Sequence, residues 1–316
     1  MAAFLRRLRL GPILNGLRFL ASMPTLVRLA RRSPIVHLQG WEASSVGLIA
    51  TTLILATGAR IVYTAHNTFE RAPWALDSTR IFPALAHQTI VHTAADSKRI
   101  RGAVNVIPHG HYGSLADAAD PVAPDAARRA LGVPGDAVVV LLFGVLRPDK
   151  GLSDLLTAVA QTPPWRALIA GKEEGALHAA QDLLASDVLK GRVTVREGFQ
   201  ELDVVAQLFA AADLVALPYR QASQSGVLQL SYGFARPVAA YPVGGLAEAV
   251  IDGKTGWLCS TATPSALATV LREAAVAGRE ELRRRGEEGQ RWARASFGWD
   301  EIAEATEAVY RTALER

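Results

Sequence analysis

The chain has little of several residue types, and each scarcity excludes a class of protein. Its 316 residues include one cysteine, Cys259, so an intramolecular disulfide and a cysteine metal cluster are both excluded. The net charge is only +4 and no basic stripe is studded with aromatic residues, so nothing indicates a nucleic-acid partner. No Asp-x-Asp motif occurs, and we therefore expect no essential metal ion.

The sequence also lacks an apolar run long enough to cross a membrane. The uncharged stretch 44–59 is too short, and its glycine and threonine content favours a buried helix. No small-residue cleavage site follows an uninterrupted apolar core, which argues against a secretory signal. The single cysteine fits a reducing compartment. We therefore predict a cytoplasmic protein without a transmembrane span.

Acidic residues are absent from residues 1–33, which form a basic amphipathic segment. Apolar residues alternate with the basic ones, and Pro12 and Pro24 interrupt the pattern. Such segments suit an anionic membrane surface, which predicts peripheral contact with the inner face of the cell membrane. Helices that pack on the first domain with their arginines in solvent would give the same pattern, and both readings stay open. The arginines of the segment are Arg6, Arg7, Arg9, Arg18, Arg28, Arg31 and Arg32.

Half of the residues are hydrophobic, and they fall into short apolar runs separated by helix-length stretches. This alternation predicts parallel sheets with right-handed crossovers. We expect an α/β fold with two Rossmann-like, doubly wound domains that face a cleft, the first of them abbreviated. The predicted strands are 35–38, 60–64, 88–92 and 104–107, followed by 137–143, 166–170, 192–196, 213–217 and 237–241.

The turn-rich stretch 111–135 marks the boundary between the two domains. After the basic segment 1–33, we expect an amino-terminal domain at 34–118 and a carboxyl-terminal domain at 119–298. A final helix within 299–316 carries an apolar face and is expected to pack back on the amino-terminal domain.

Two cations mark an anion site in the second domain. Arg147 and Lys150 follow a strand that is apolar throughout, and Gly144 lets the backbone turn between them and that strand. A helix that begins near Leu152 would direct its free N–H groups and its positive dipole end toward the same place. Exposed basic pairs are common and usually solvated, but the position of this pair after a buried strand favours a phosphate site.

A second anion site is predicted after a later strand, in the segment Pro218–Val227. Ser223 and Ser225 are candidate N-caps for a helix that begins near Gly226, whose missing side chain permits close approach to the backbone amides. A capped helix with nothing bound is the simpler reading of this loop alone. Ligands of open α/β sheets bind outside the carboxyl ends of the strands, and both segments lie there.

Several segments, in this order, resemble the family-4 retaining glycosyltransferases of the GT-B fold, which transfer a sugar from a nucleotide-sugar donor. The resemblance covers residues 34–312. The segments that carry it are Val36–Leu38, Tyr63–Asn67, Ile107–Gly110, Gly144–Gly151, Leu217–Tyr219 with Ser225–Val227, Ala235–Val238, Val243–Glu248 with Asp252–Gly256, and Phe297–Asp300 before a helix with Val309 and Tyr310.

The resemblance implies roles for individual residues. Arg147 and Lys150 would bind the donor diphosphate and stabilise it as it leaves. His66 matches the family histidine that faces the transferred sugar, and with the two cations it completes the predicted catalytic set. The further donor-side predictions are Gly144, Gly198, Phe199, Gln224, Ser225, Gly226 and Val227. The acceptor-side predictions are Asn67, Glu70, His109 and Gly110.

The implied activity is transfer of a sugar to a glycan or a lipid-linked saccharide. A nucleotide-sugar co-substrate would be the only small molecule needed besides the acceptor. Two alternatives from other classes stay open: a non-catalytic nucleotide-sugar-binding subunit of a glycosyltransferase complex, and a nucleotide-sugar epimerase.

The sequence departs from the family pattern in two places. The usual glutamate pair falls on Ala222 and Leu230, so both carboxylates are missing. Gln224, Gln229 or Ser231 would have to supply the hydrogen bonds to the ribose, and Glu248 is the nearest carboxylate. The first clear strand begins at Ile35, after basic helix, where the family opens with a strand and a glycine-rich loop. A late gene start or a shortened member would each give this pattern.

Overall fold

The structure is a computed structural model that describes residues 11–39, 45–66, 68 and 79–315, with the backbone alone for residues 11–17 and 45. It divides into two compact units. Unit 1 comprises Met1–Pro108 with Ala303–Arg316, and unit 2 comprises His109–Ile302. The division falls before the predicted boundary at residue 118, because the helix Gly113–Ala118 packs on the helix Gly226–Gly233 within unit 2.

Unit 1 contains a parallel sheet of four strands in the described residues, in the order β1-β2-β3-β4. The strands lie in chain order, as in a sheet wound in one direction. Apolar side chains of β2 and β3 pack with α2 and α3 in the core of the unit, among them Ile54, Ile61 and Phe82. The elements are α1 (Gly11–Ala30), β1 (Ile35–Gln39), α2 (Ser45–Leu55), β2 (Arg60–Thr64), α3 (Ile81–Leu85), β3 (Gln88–Val91), α4 (Ala94–Ser97) and β4 (Val104–Val106).

Unit 2 alternates strands and helices through most of its length. Its elements are α5 (Gly113–Ala118), α6 (Pro124–Ala130), β5 (Val138–Phe143), a 3₁₀ helix (Pro148–Lys150), α7 (Leu152–Ala160), β6 (Trp165–Gly171), α8 (Ala176–Ala179), α9 (Gln181–Leu184), a second 3₁₀ helix (Asp187–Leu189), β7 (Val193–Glu197), α10 (Leu202–Ala211), β8 (Leu214–Leu217), α11 (Gly226–Gly233), β9 (Val238–Ala240), α12 (Gly244–Ala249), β10 (Gly256–Leu258) and α13 (Pro264–Ser296). The last helix, α14 (Trp299–Glu315), begins in unit 2 and continues into unit 1 from Ala303.

The six strands of unit 2 form one parallel sheet in the order β10-β9-β8-β5-β6-β7. The chain moves outward from β5 through β6 to β7, then returns to the other side of β5 and moves outward again. This reversal is the mark of a doubly wound sheet. Buried apolar residues line both faces of the sheet and form a separate core on each, which explains why the central strands β5 and β8 are apolar throughout. The predicted α/β class is confirmed.

One strand of this sheet was absent from the sequence prediction. β10 has three residues and pairs in parallel with β9, from Gly256 beside Val238 to Leu258 beside Ala240. A segment this short carries no periodic pattern, and only its partner strand defines it. In the described residues no helix is both long and apolar enough to span a membrane.

Candidate functional site

The reversal of strand order in unit 2 places a crevice between the carboxyl ends of β5 and β8. In an open α/β sheet a ligand binds at this point, because the loops from the two neighbouring strands run to opposite faces of the sheet and leave a gap. The loop after β5 is 144–151 and the loop after β8 is 218–225. Both predicted anion segments therefore begin at the same edge of the sheet, after two adjacent strands.

Arg147 is held in position by a neighbour in its own loop. Its Nε lies 2.8 Å from Asp149 Oδ1 and its second terminal nitrogen 2.9 Å from Oδ2, which is a bidentate pair. This hydrogen-bonded pair raises the pKa of Arg147 and lowers the pKa of Asp149. The side chain of Arg147 is about one-third exposed, so it is oriented but still accessible to a ligand.

Lys150 lies above an aromatic ring from the other loop. Its Nζ is 3.7 Å from the centroid of the Tyr219 ring. Tyr219 is buried, and burial raises the pKa of its hydroxyl to about 12, so the ring stays neutral and presents its electron-rich face to the ammonium. The side chain of Ser225 lies beside the same hydroxyl and offsets part of this rise in pKa. The contact between Lys150 and Tyr219 thus links the two loops.

The amino terminus of α11 lies beside the loop after β5. Ser225 is its N-cap and accepts a hydrogen bond from the backbone N–H of Leu228 at 3.2 Å, as predicted for a capping serine. A Cβ on Gly144 would lie 3.3 Å from the nearest methyl carbon of Val227, so the loop after β5 contacts the first turn of α11 at this point. Gly226 packs against the ring of Tyr112.

Two glycines allow the loops to approach one another closely. Gly151, with φ of 74°, ends the 3₁₀ helix in the left-handed region, and a Cβ there would overlap the carbonyl oxygen of Pro218. Gly171, with φ of 146°, ends β6, and a Cβ there would overlap the carbonyl oxygen of Gly144. The backbones of the loops after β5, β6 and β8 are therefore in close contact with one another.

Gly198 and Phe199, two of the predicted donor-side residues, follow β7 at the same edge of the sheet. The backbone N–H of Gly198 donates to the carbonyl of Gly171 at 2.9 Å, which connects the end of β7 to the end of β6. The side-chain amide of Gln200 donates to the carbonyl of Gly198 at 2.9 Å. Phe199 is 84% exposed, an unusual position for a phenylalanine and one that leaves its ring open to stacking.

Glutamine oxygens occupy the region where the glutamate pair is missing. The Oε1 atoms of Gln224 and Gln229 are buried and accept no hydrogen bond within the described part of the chain. Ser231 donates to the carbonyl of Val227 at 2.6 Å, so its proton is already used within α11. Ala222 and Leu230 are buried.

In unit 1, His66 follows β2 and pairs with a second histidine. Its Nδ1 lies 2.9 Å from Nε2 of His92, which follows β3, and Nδ1 of His92 lies 2.9 Å from the carbonyl oxygen of Ile107. His92 was not among the predicted site residues. Its position directly after β3 is the signal that would have found it, since neighbouring parallel strands end at the same edge.

A third histidine links β1 to the last helix. His37 has one ring nitrogen 2.7 Å from Thr64 Oγ1 and the other 2.7 Å from the hydroxyl of Tyr310 on α14. Burial, and then the charge of His66, lower the pKa of His37.

The structure describes two of the four predicted acceptor-side residues. His109 and Gly110 belong to unit 2, where Gly110 lies against the indole of Trp299, and His109 packs edge-on to Tyr112. Asn67 and Glu70 lie outside the described residues. Across the described ranges, no group of three or more His, Cys, Asp or Glu side chains is placed to hold a metal ion.

Comparison with known proteins gives matches in both sequence and structure. Residues 137–275 match the family model described as "Glycosyl transferases group 1". A "D-inositol 3-phosphate glycosyltransferase" of Streptomyces avermitilis is 32% identical, over 89% of this chain and 66% of that protein. One of the same name from Mycobacterium avium is 32% identical, over 89% of this chain and 70% of that protein. The chain thus spans about two thirds of the length of these relatives.

Solved structures share the fold at lower identity. The Anabaena protein HepE, solved with UDP and glucose, has a TM-score of 0.78 at 21% identity, over 92% of this chain and 81% of that one. Sucrose-phosphate synthase of Thermosynechococcus elongatus has a TM-score of 0.73 at 22% identity, over 92% and 78%. The structural neighbours are GT-B glycosyltransferases. From the relatives, the family model and this fold together, the chain belongs to the group 1 glycosyltransferases and has the GT-B fold.

Proposed function

We propose that the chain is a family-4 retaining glycosyltransferase that moves a sugar from a nucleotide-sugar donor to a glycan or a lipid-linked saccharide. One observation carries the proposal: Arg147 and Lys150 stand at the strand-order reversal of unit 2, beside the capped amino terminus of α11. The names of the relatives support the transferase activity, and the UDP and UDP-glucose in HepE structures support a nucleotide-sugar donor.

In this proposal the cation pair binds the donor diphosphate. Asp149 occupies one edge of the Arg147 guanidinium, and the remaining terminal N–H groups of that side chain donate to the phosphates. Lys150 adds a point charge, and the amides of Ser225, Gly226 and Val227 add N–H groups at the positive end of a helix. Charge grows on the diphosphate as the sugar bond breaks, and donors fixed beforehand stabilise that charge without reorganising.

Retention of configuration follows if the acceptor hydroxyl attacks on the face that the diphosphate leaves, and no protein nucleophile is then needed. His66 contacts the transferred sugar. Phe199 and Gly198 lie beside the base. The buried oxygens of Gln224 and Gln229 accept hydrogen bonds from the ribose hydroxyls in place of the missing glutamates.

Asn67, Glu70, His109 and Gly110 are the proposed acceptor contacts, and the basic segment 1–33 would hold the protein at the cytoplasmic face of a membrane where lipid-linked saccharides are made. We expect activity without an added metal ion. The relatives' name adds inositol phosphates to the acceptors worth testing.

The test is an assay of the whole chain with UDP-, GDP- and ADP-sugars and a panel of saccharide, lipid-linked and inositol phosphate acceptors, with and without EDTA. Arg147→Ala with Lys150→Ala should lower transfer and donor hydrolysis by about 100-fold or more, since each removes a donor to the leaving diphosphate. The matched control is Arg129→Ala with Lys190→Ala, which removes one exposed arginine and one exposed lysine of unit 2 and should leave activity unchanged.

Three outcomes would overturn the proposal. Donor binding without turnover in the unmodified chain would favour the non-catalytic subunit. Recovery of an epimerised donor would favour the epimerase. A product with inverted configuration at the transferred sugar would exclude the retaining mechanism, and NMR of the product's anomeric proton distinguishes it.

A further inference from the structure

Three groups at the carboxyl edge of the sheet in unit 1 form a chain of hydrogen bonds. The carbonyl oxygen of Ile107 lies 2.9 Å from Nδ1 of His92, and Nε2 of His92 lies 2.9 Å from Nδ1 of His66. The two imidazole centroids are 4.8 Å apart. Both rings are partly buried, so these contacts are sheltered from competing water.

The chemistry of the first group sets the protonation of the others. A carbonyl oxygen only accepts, so Nδ1 of His92 must carry the proton that lies between them. A neutral His92 then has its lone pair on Nε2, and that nitrogen must receive a proton from its partner. The partner is Nδ1 of His66, which therefore donates. A neutral His66 consequently has its own lone pair on Nε2.

We propose that His92 is a positioning residue that fixes His66 as the Nδ1-protonated tautomer, so that Nε2 of His66 acts as a hydrogen-bond acceptor toward a hydroxyl of the transferred sugar. The direction of the hydrogen bonds rests on the structure, and the sugar contact rests on the proposed function. The fixed carbonyl of Ile107, on the backbone after β4, anchors the relay to the sheet. The two rings are thereby oriented before any ligand binds, as is usual where a second residue selects the tautomer of a functional histidine.

The same unit supplies a reference with the opposite tautomer. Nδ1 of His87 accepts a hydrogen bond from the backbone N–H of Ile61 at 3.0 Å. A neutral His87 must therefore carry its proton on Nε2. One spectrum of the whole chain should contain both patterns, which provides an internal standard for the assignment.

The experiment is a two-bond ¹H–¹⁵N correlation spectrum of the whole chain labelled with ¹⁵N-histidine, recorded at about pH 8.5, where an ordinary imidazole is neutral. Signals are assigned through His66→Gln, His87→Gln and the variants of His92. We expect His66 to show a protonated Nδ1 and an unprotonated Nε2, and His87 to show the reverse. His92→Phe keeps a ring but removes both hydrogen bonds, and it should abolish the tautomer preference of His66.

His92→Gln provides the rescue, because its amide can donate to Ile107 and accept from His66 at nearly the imidazole spacing. It should keep the Nδ1-protonated His66. Where turnover is measurable, His92→Phe should lower kcat/KM by about fivefold and His92→Gln should restore most of it, the size expected for one hydrogen bond.

An unprotonated Nδ1 in His66 of the unmodified chain would overturn the inference, as would a tautomer that His92→Phe leaves unchanged while the His87 signal shows a folded unit. The spectrum requires no activity. A chain with the expected tautomers but no transfer would count against the proposed function and not against the relay.

Discussion

At the scale of single residues, both cations of the proposed donor site have partners within the protein. Asp149 holds the guanidinium of Arg147, and the ring of Tyr219 lies beneath Lys150. These partners restrict the rotamers of two long side chains before a ligand arrives, which lowers the entropic cost of binding. A site that relies on charge stabilisation benefits from such order, since donors that must move lose part of their effect.

The ring of Tyr219 permits a test of this ordering. Tyr219→Leu removes the aromatic face beneath Lys150, and a cation–π contact contributes about 0.5–1 kcal/mol. We expect the affinity for a nucleoside diphosphate to fall by about twofold to fivefold, as measured by calorimetry. Tyr219→Phe keeps the face and loses only the hydroxyl that meets Ser225. Equal losses of affinity in the two variants would assign the effect to the hydroxyl instead.

In each of three contacting pairs, one residue was predicted from the sequence and its partner was not. The pairs are Arg147 with Asp149, Lys150 with Tyr219, and His66 with His92. Arg147, Lys150 and His66 carry charge or titratable groups in recognisable segments, so they could be named in advance. Asp149, Tyr219 and His92 act through contacts with those residues. Tyr219 follows β8 and His92 follows β3, so their contacts could be recognised only once the strand order was known.

At the scale of elements, the proposed donor site depends on how closely neighbouring loops approach. The sequence predicted a glycine turn after β5 and a capped helix at Gly226, and both are present. It did not predict that Gly151 touches the loop after β8, because that contact joins two strands that are distant in the chain and adjacent in the sheet.

Two glycines provide a matched comparison for this contact. Gly151 and Gly132 are both left-handed, with φ of 74° and 66°, but a Cβ overlaps the Pro218 carbonyl at the first and meets nothing within 4 Å at the second. Gly132→Ala should cost about 1 kcal/mol of stability from backbone strain alone. Gly151→Ala should cost about 1–3 kcal/mol more, because the loops must separate. Urea denaturation measures both, and equal losses would mean that the loop is free to shift.

At the scale of the whole molecule, the two units differ in the hydrophobic core and in the titratable groups that they bury. Unit 2 buries the centre of its sheet on both faces, and the central strands could be predicted from their apolar runs. The described part of unit 1 has a smaller core and a cluster of histidines near one edge of its sheet. The stability of unit 1 should therefore change more than that of unit 2 when the pH falls from neutral to mildly acidic.

The lowered pKa of His37 determines the direction of this dependence. Burial disfavours its charged form in the folded state, so the unfolded chain binds more protons as the pH falls. The contribution to stability is present above about pH 6.5 and is lost as the pH falls toward the lower folded value. Burial lowers the pKa of His87 as well, and it acts in the same direction. Each additional proton that the unfolded chain binds changes the free energy of unfolding by at most about 1.4 kcal/mol per pH unit.

Amide hydrogen exchange of β1 and β2 between about pH 5 and 8, corrected for the intrinsic exchange rate, measures this effect. His37→Gln should flatten the pH dependence of the opening free energy in these strands. His178→Gln replaces an exposed histidine of unit 2 and should leave it unchanged. A dependence that persists in full after His37→Gln would assign it to other groups.

The sequence by itself determined the α/β class, most of the strands, the cation pair and the capped helix. These follow from local chemistry, since apolar runs, turn glycines and capping serines act on their own neighbourhood. The tertiary structure decided what touches what: the short β10 beside β9, Tyr219 beneath Lys150, and His92 beside His66. The physical reason is that parallel strands far apart in the chain end at one edge of a sheet, and the order of the strands selects which loops meet.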